Sequence, residues 1–352
     1  MCKQRHRHSI FCILPPHMLD KVMRNGSADQ REWALNNMQV NQTMHSFRVG
    51  EMLQAPKAMG GGTPGLAQRT IYTADSGMEL PGKLVRSEGD GPTDDVSTNE
   101  AYDGLGATYD FFWQIFQRNS IDDEGMPLTA TVHFGKRFDN AFWTGAQMIF
   151  GDGDGQLFKR FTISLDVIGH ELTHGVTQDE AGLVYMNQSG ALNESLSDVF
   201  GLLVKQYALK QDVTQADWLI GAALLTDKVQ GRALRSMSAP GTAYDDPMLG
   251  KDPQPGHTKD FVRTMADNGG VHINSGIPNR AFYLTASAIG GNAWAQAGHI
   301  WYDTVRDKRL KKNAGFSAFA KLTLANAVGA YGPTSVEAKA VREAWNTVGV
   351  KL

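Results

Sequence analysis

The chain is poor in cysteine. Only Cys2 and Cys12 occur among 352 residues, both within the first twelve, so no disulfide framework can staple the rest. Long apolar runs are missing too. The first nineteen residues, MCKQRHRHSIFCILPPHML, place a basic stretch before Ile10 to Leu14, and Pro15 and Pro16 stop that run. It is too short for a signal h-region, and no run of about 18 apolar residues follows, so no classical signal peptide and no membrane span are expected. The formal net charge of -3 excludes the strongly basic character of a nucleic-acid binder or an anionic-membrane binder. Internal repeats and low-complexity tracts are also lacking.

What remains is an ordered, soluble composition, with 41% hydrophobic and 20% charged residues and 38 Gly. The length suits one large domain or about two ordinary ones. Residues 1 to about 50 are polar and rich in Met and His, and only a short helix around Asp29 to Asn37 is expected there. Residues 55–66, APKAMGGGTPGL, read as a flexible joint. From Arg69 to Phe161, strand-like pieces at Arg69–Ala74, Ala130–Phe134 and Ala146–Phe150 alternate with turns and a helix over Asn99–Asn119. Beyond Ile163 the periodicity is helical, over Ser164–Gln178, Leu192–Leu209, Pro278–Ile289, Trp294–Arg306, Gly315–Val328 and Ser335–Thr347. The fold class is α+β.

Within the first of these later helices stands His170-Glu171-Leu172-Thr173-His174. Residues four apart share a helix face, so both imidazoles can reach one metal ion. Glu171, one step round, can reach a metal-activated water without ligating the metal. Chance produces such a motif in on the order of 1% of chains with ten histidines, so further ligands must decide. Glu194, in Gly190-Ala191-Leu192-Asn193-Glu194-Ser195, is the candidate third ligand, and Asp198 one turn later is a candidate to orient a ligand histidine. The competing reading is two solvated acids near a helix start, favoured there by its dipole.

Other features invite mundane readings. Asp152-Gly153-Asp154-Gly155 lacks the later Glu of an EF-hand loop and reads as a glycine turn rather than an ion site. The basic run Lys3 to His8 reads as a solvated tail rather than a metal or anion site. Cys12 is expected to pack as a small hydrophobe, with a role as a fourth zinc ligand in a precursor as the weaker alternative.

Together His170 to His174, Gly182-Leu183-Val184-Tyr185, the Gly190 to Ser195 run and Asp267-Asn268-Gly269-Gly270-Val271-His272-Ile273-Asn274-Ser275-Gly276 resemble the thermolysin family of zinc metalloendopeptidases, from about Leu80 to the C-terminus. The resemblance implies two lobes, an α+β one over 51–180 and a mainly helical one over 181–352, with the cleft between. It implies one catalytic zinc on His170, His174 and Glu194, and a zinc-activated water with Glu171 as general base. Tyr185 and His272 would stabilise the oxyanion, with Asp267 holding His272. Arg235 would bind a substrate carbonyl, and Asn140 and Ala141 the peptide backbone. Phe158, Phe161, Val167, Ile220, Leu224 and Leu234 would line the pocket for a bulky hydrophobic residue after the cut bond.

Two departures narrow the expectation. No double calcium site of the family's kind is expected, since Asp166 and Asp217 match but Lys205, Leu219 and Ala222 replace expected carboxylates. A lone calcium elsewhere stays open. The short start with Pro15-Pro16-His17-Met18-Leu19 resembles the protealysin branch, which implies an inhibitory propeptide over 1–50, with a boundary between 45 and 66. Self-cleavage between His45 and Leu66 is expected, before Phe47, Met52, Leu53 or Leu66. The partners would be peptide or protein substrates and the propeptide itself, leaving room for a separate protein inhibitor. Both secretion by a non-Sec route, which the family favours, and residence in the cytoplasm fit. A catalytically idle scaffold would require a lost catalytic group, and none is missing. A zinc aminopeptidase would require a site for a free amine, and none is evident.

Overall fold

The computed structural model describes residues 11–51 and 61–352. Lys3 to His8 and the possible cleavage position Leu53 lie outside the described residues, as do Met52 and the side chain of Phe47.

The chain opens with β1 (Phe11–Cys12), then α1 (Pro16–Asn25) and α2 (Ala28–Glu51). This corrects the expectation of a single short helix before residue 50. Pro16 stands at the first helical position, where its fixed φ and missing N–H favour initiation. Met18, Leu19 and Val22 then bury one face of α1 against the body of the protein, so tertiary contact supplies what a polar sequence could not signal.

The strands β2 (Arg69–Thr73), β3 (Lys83–Ser87), β4 (Leu128–Val132), β5 (Ala141–Trp143) and β6 (Met148–Phe150) join β1 in a six-stranded sheet of order β1-β5-β6-β4-β2-β3. Two of these, β3 and β5, were not anticipated. They are short, and β5 is buried throughout, so it shows no alternation. Helix α3 (Val96–Phe116) starts three residues earlier than expected because Asp95 accepts hydrogen bonds from the Ser97 and Thr98 amides. It ends at Gln117, which adopts the left-handed conformation.

Helices α4 (Leu165–Glu180) and α5 (Asn187–Leu209) form the centre. They cross where Gly169 meets Gly201. A Cβ on Gly201 would lie 2.3 Å from the Asp166 carbonyl oxygen and 2.7 Å from the His170 nitrogen, so the two backbones approach only because a side chain is absent. After the short strands β7 (Leu219–Ile220) and β8 (Arg235–Ser236) come α6 (Asp267–Asn274), α7 (Gly276–Ile289), α8 (Gln296–Arg306), α9 (Phe316–Tyr331) and α10 (Val336–Thr347). In α6 the residues Asn268, Gly269 and Gly270 have positive φ, which kinks the segment just before His272. Trp301 of α8 and Trp345 of α10 stack in the helical core. The Asp152–Gly155 run forms a turn, as expected. Gly153 and Gly155 have positive φ, and Asp154 Oδ1 accepts from the amides of Gln156, Leu157 and Phe158.

Candidate active site

Helix α4 carries His170 and His174 on one face, and the α4–α5 crossing brings Glu194 opposite them. One ligand atom of each lies within 4.8 Å of the others, and all three side chains are buried. The two Nε2 atoms stand 3.0 Å apart, with Glu194 carboxylate oxygens 3.6 Å from His170 and 3.4 Å from His174. His170 Nδ1 donates to Asp198 Oδ1 at 2.8 Å, and His174 Nδ1 donates to Asn193 Oδ1 at 2.7 Å. Those acceptors take the Nδ1 protons, which leaves both Nε2 lone pairs aimed at the same point. Glu194 Oε2 is buried there without a hydrogen-bond partner. Two lone pairs and an unsatisfied carboxylate oxygen converging in a buried pocket are stabilised by a cation, and two N ligands with one O ligand suit zinc.

Around this point lie the other expected residues. Glu171 Oε2 accepts from the Trp143 amide at 3.0 Å. The Tyr185 hydroxyl donates to Glu194 and lies 3.2 Å from His272 Nε2. Asp267 holds His272 twice, through Nδ1 at 2.6 Å and through the backbone amide at 2.9 Å. Burial alone would lower the His272 pKa, but the charges of Asp267 and Glu194 outweigh it and push it up to about 9. Burial also drives the Tyr185 phenol upward, and Glu194 adds to the effect.

The cleft beside these groups holds the protein's own residues 11–14. Strand β1 pairs antiparallel with β5, Phe11 opposite Trp143 and Cys12 opposite Phe142. The Ile13 amide donates to Ala141 O at 3.3 Å, and the Leu14 amide donates to Asn140 Oδ1 at 3.1 Å. The Ile13 carbonyl accepts from Arg235 at 3.1 Å, and the Cys12 carbonyl lies 3.0 Å from His272 Nε2. Asn140, Ala141 and Arg235 thus contact the backbone of the chain's own Ile13 and Leu14. Ile13 and Leu14 are buried in the same apolar cluster as Phe158, Phe161, Val167, Ile220, Leu224 and Leu234. Cys12 is not among the clustered ligand atoms. Its thiol, held well above its usual pKa by burial, is directed to the Leu14 carbonyl at 3.7 Å.

Residues 35–178 match the family model described as thermolysin metallopeptidase, catalytic domain, and residues 181–350 match its alpha-helical domain. The chain belongs to the thermolysin family. It is 55% identical over 346 residues to a protein named extracellular metalloprotease from Pectobacterium carotovorum subsp. carotovorum, which covers 97% of each chain. It is 47% identical to protease PrtS from Photorhabdus sp. (strain Az29), covering 97% of this chain and 92% of that one. The solved precursor of protealysin, a metalloproteinase from Serratia proteamaculans, superposes with a TM-score of 0.88 at 55% identity, over 97% of this chain and all of that one. The enzyme is thus a thermolysin-like metalloendopeptidase, with a sheet-containing N-terminal part and a helical C-terminal part, and the solved structure it resembles is a precursor form. Among its described residues no helix is long and apolar enough to cross a membrane.

Asp198 and Arg235 were expected at the site of this metalloendopeptidase, but their link to each other and the groups Asn279, Trp33, Asn37, Asn41 and His17 are not evident in its sequence. Asp198 Oδ2 accepts from Arg235 Nε and from Asn279 Nδ2, both at 2.8 Å, while its Oδ1 also accepts from Arg235 at 2.7 Å. One carboxylate therefore ties a metal-facing histidine to the arginine that grips the peptide. Burial opposes its ionisation, but Arg235 and His170 hold it well below the usual carboxylate range. From α2, Trp33 and Asn37 donate to the Arg137 carbonyl, Asn37 accepts from the Asp139 amide at 2.7 Å, and Asn41 accepts from Asn140. From α1, His17 Nε2 lies 3.0 Å from the Tyr244 hydroxyl. Isolated amides and rings in a polar stretch carry no periodic signal that would have revealed them. Where the resemblance implied a double calcium site, Lys205 Nζ bonds Asp166 Oδ2 at 3.1 Å, Asp217 at 3.0 Å and the Leu219 carbonyl at 3.0 Å.

Proposed function

We propose that the full chain is a zinc endopeptidase precursor that cuts on the N-terminal side of bulky hydrophobic residues, with residues 1 to about 50 as its inhibitory propeptide. The carrying observation is residues 11–14 lying along β5, with Asn140, Ala141, Arg235 and His272 contacting the backbone of Cys12, Ile13 and Leu14. Residues 51–180 and 181–352 are then the catalytic lobes. His170, His174 and Glu194 hold the zinc, and Asp198 and Asn193 fix the two imidazoles. Bound zinc supplies Lewis acidity that makes water a nucleophile near neutral pH and polarises a carbonyl.

Glu171 takes a proton from the attacking water and passes it to the leaving amine, in keeping with its place beside the Trp143 amide. His272 and Tyr185 donate to the oxyanion that grows on the scissile carbonyl, and Asp267 keeps His272 oriented for this. Arg235 fixes the carbonyl after the scissile bond, and Asn140 and Ala141 align the chain. A pocket built from Phe158, Phe161, Val167, Ile220, Leu224 and Leu234 gains about 25 cal/mol per Å² of apolar surface it covers, which favours Ile, Leu or Phe in it. Lys205 stands in for the paired calcium ions of the family, so no double calcium site is required. Export is the reading that the extracellular relatives support.

The test uses the processed enzyme on casein. Cleavage should fall by at least about a thousandfold in Glu171→Gln and vanish with a zinc chelator, while the variant keeps its zinc. A Glu171→Gln enzyme that digests casein at the wild-type rate would refute the assignment. Peptide products should begin with Ile, Leu or Phe.

A further inference from the structure

We propose that the chain carries its own first substrate, and that the Cys12–Ile13 bond is cut by its own active site before any cut near residues 45–66. The inference rests on the protease reading above and adds the bond and the order. The expected self-cleavage stretch is not what the cleft contains. The segment beside the metal-facing residues lies more than thirty residues upstream of it.

Four contacts fix the register. The Cys12 carbonyl lies 3.0 Å from His272 Nε2, on the side that would polarise it. The next amide, that of Ile13, is held by Ala141 O at 3.3 Å, and the next carbonyl, that of Ile13, by Arg235 at 3.1 Å. The Leu14 amide is held by Asn140 at 3.1 Å. A bond whose carbonyl oxygen sits at the oxyanion donor, and whose following residue is fully buried in apolar surroundings, occupies the position of a bond to be cut. Tyr185, whose hydroxyl donates to Glu194, lies 3.2 Å from the same His272 nitrogen that meets the Cys12 carbonyl. Ile13 is also of the bulky hydrophobic class proposed for the residue after the cut.

The step balances as a hydrolysis. The water oxygen adds to the Cys12 carbonyl carbon while Glu171 accepts its proton. The C–N bond then breaks, the proton goes to the Ile13 nitrogen, and the products are a Cys12 carboxylate and an Ile13 amine. The order follows from geometry as well. A peptide paired with β5 must be extended, whereas α2 is helical through Glu51, and the cleft already holds β1. The joint between 45 and 66 can therefore enter a cleft only after the arm has left it, or enter the cleft of a second molecule.

Full-length protein purified under chelator should be loaded with zinc and sampled by intact mass and N-terminal sequencing at several concentrations. A chain beginning at Ile13 should appear first, at a rate independent of concentration, before any chain beginning within 45–66. Ile13→Asp should slow that cut by about tenfold or more, since a charge is refused by an apolar pocket. In the inactive Glu171→Gln background, Ile13→Asp should also raise amide exchange at Leu14, and unchanged exchange would mean that Ile13 does not anchor the arm. Casein-cleaving enzyme that forms with no Ile13-starting chain at any time would overturn the proposal while leaving the protease reading intact. Absence of both casein cleavage and self-cleavage would remove the two together.

Discussion

Replacing Lys205 by Met should destabilise the protein by about 3 kcal/mol, and the number follows from who surrounds the ammonium. Lys205 Nζ contacts Asp166, Asp217 and the Leu219 carbonyl, and the Asp166 side chain is only 2% exposed. Burial would lower the Lys205 pKa, but Asp166 and Asp217 outweigh it and raise it. Removing one partner of a buried pair costs roughly 3–5 kcal/mol, because the remaining charge is stranded. The lower end applies here, since Asp166 keeps the Ser164 hydroxyl and the Val167 and Gly221 amides as donors. Asp217 is 43% exposed, so its share is screened to about 1 kcal/mol or less. At about 2 °C per kcal/mol for a chain of this size, the melting temperature should drop by about 6 °C.

A second variant separates charge replacement from packing. Lys205→Glu adds a carboxylate next to Asp166 and Asp217, so it should be at least as unstable without calcium. At a calcium concentration about 100 times its dissociation constant it should recover about 2.7 kcal/mol, or roughly 5 °C, whereas wild type should not respond. Calorimetric scans of the three proteins with and without calcium make the comparison. A wild-type melting temperature that climbs with calcium as much as that of the glutamate variant would refute the idea that the lysine stands in for a cation.

Three further outcomes follow. Gly201→Ala should cost about 3 kcal/mol or more and reduce zinc content measured by atomic emission, because the new methyl meets α4 backbone at 2.3 Å beside His170; full zinc occupancy with unchanged melting would contradict the close crossing. His17 faces Tyr244, Asp267, His272, Arg235 and Lys21, and burial lowers its pKa to about 4 from about 6.5 when free, so propeptide docking is fully favoured above pH 6.5 and weakens as pH falls from there towards 4. Activation followed by casein release should quicken over that window in wild type and lose the dependence in His17→Gln. His133 bridges Asp152 and Asp95, whose contacts raise its pKa to about 9, so its stabilisation is complete below pH 6.5 and is lost as pH rises through 9. Melting temperatures of wild type and His133→Gln should therefore converge above pH 9, and a constant gap would show that no charge is involved.

How much of the fold is legible in the sequence depends on range. The helix carrying His170 and His174 was legible because an apolar stripe and a four-residue spacing are local properties. Helices α7 to α10 were located for the same reason. The short strands β3 and β5 were not, since three to five residues carry too little periodicity. The missed helix α1 is only ten residues long and lies in a polar stretch, so its stability comes from docking. Asn279 is the clearest case among the site residues. Nothing near it in the chain indicates that its amide lies 2.8 Å from a carboxylate 81 positions earlier.

The sequence by itself determined the metal-facing pair, the glutamate between them and the membership of a family. A helix places residues four apart on one face whatever surrounds it. Only the tertiary structure decided what fills the cleft, which bond of the N-terminal arm lies beside His272, and where the Lys205 ammonium sits between two acids. Each of these depends on single hydrogen bonds between segments remote in the chain, such as Arg235 to Ile13 across 222 positions. Such bonds join segments that only the packed fold brings together, and they leave no pattern in the order of residues.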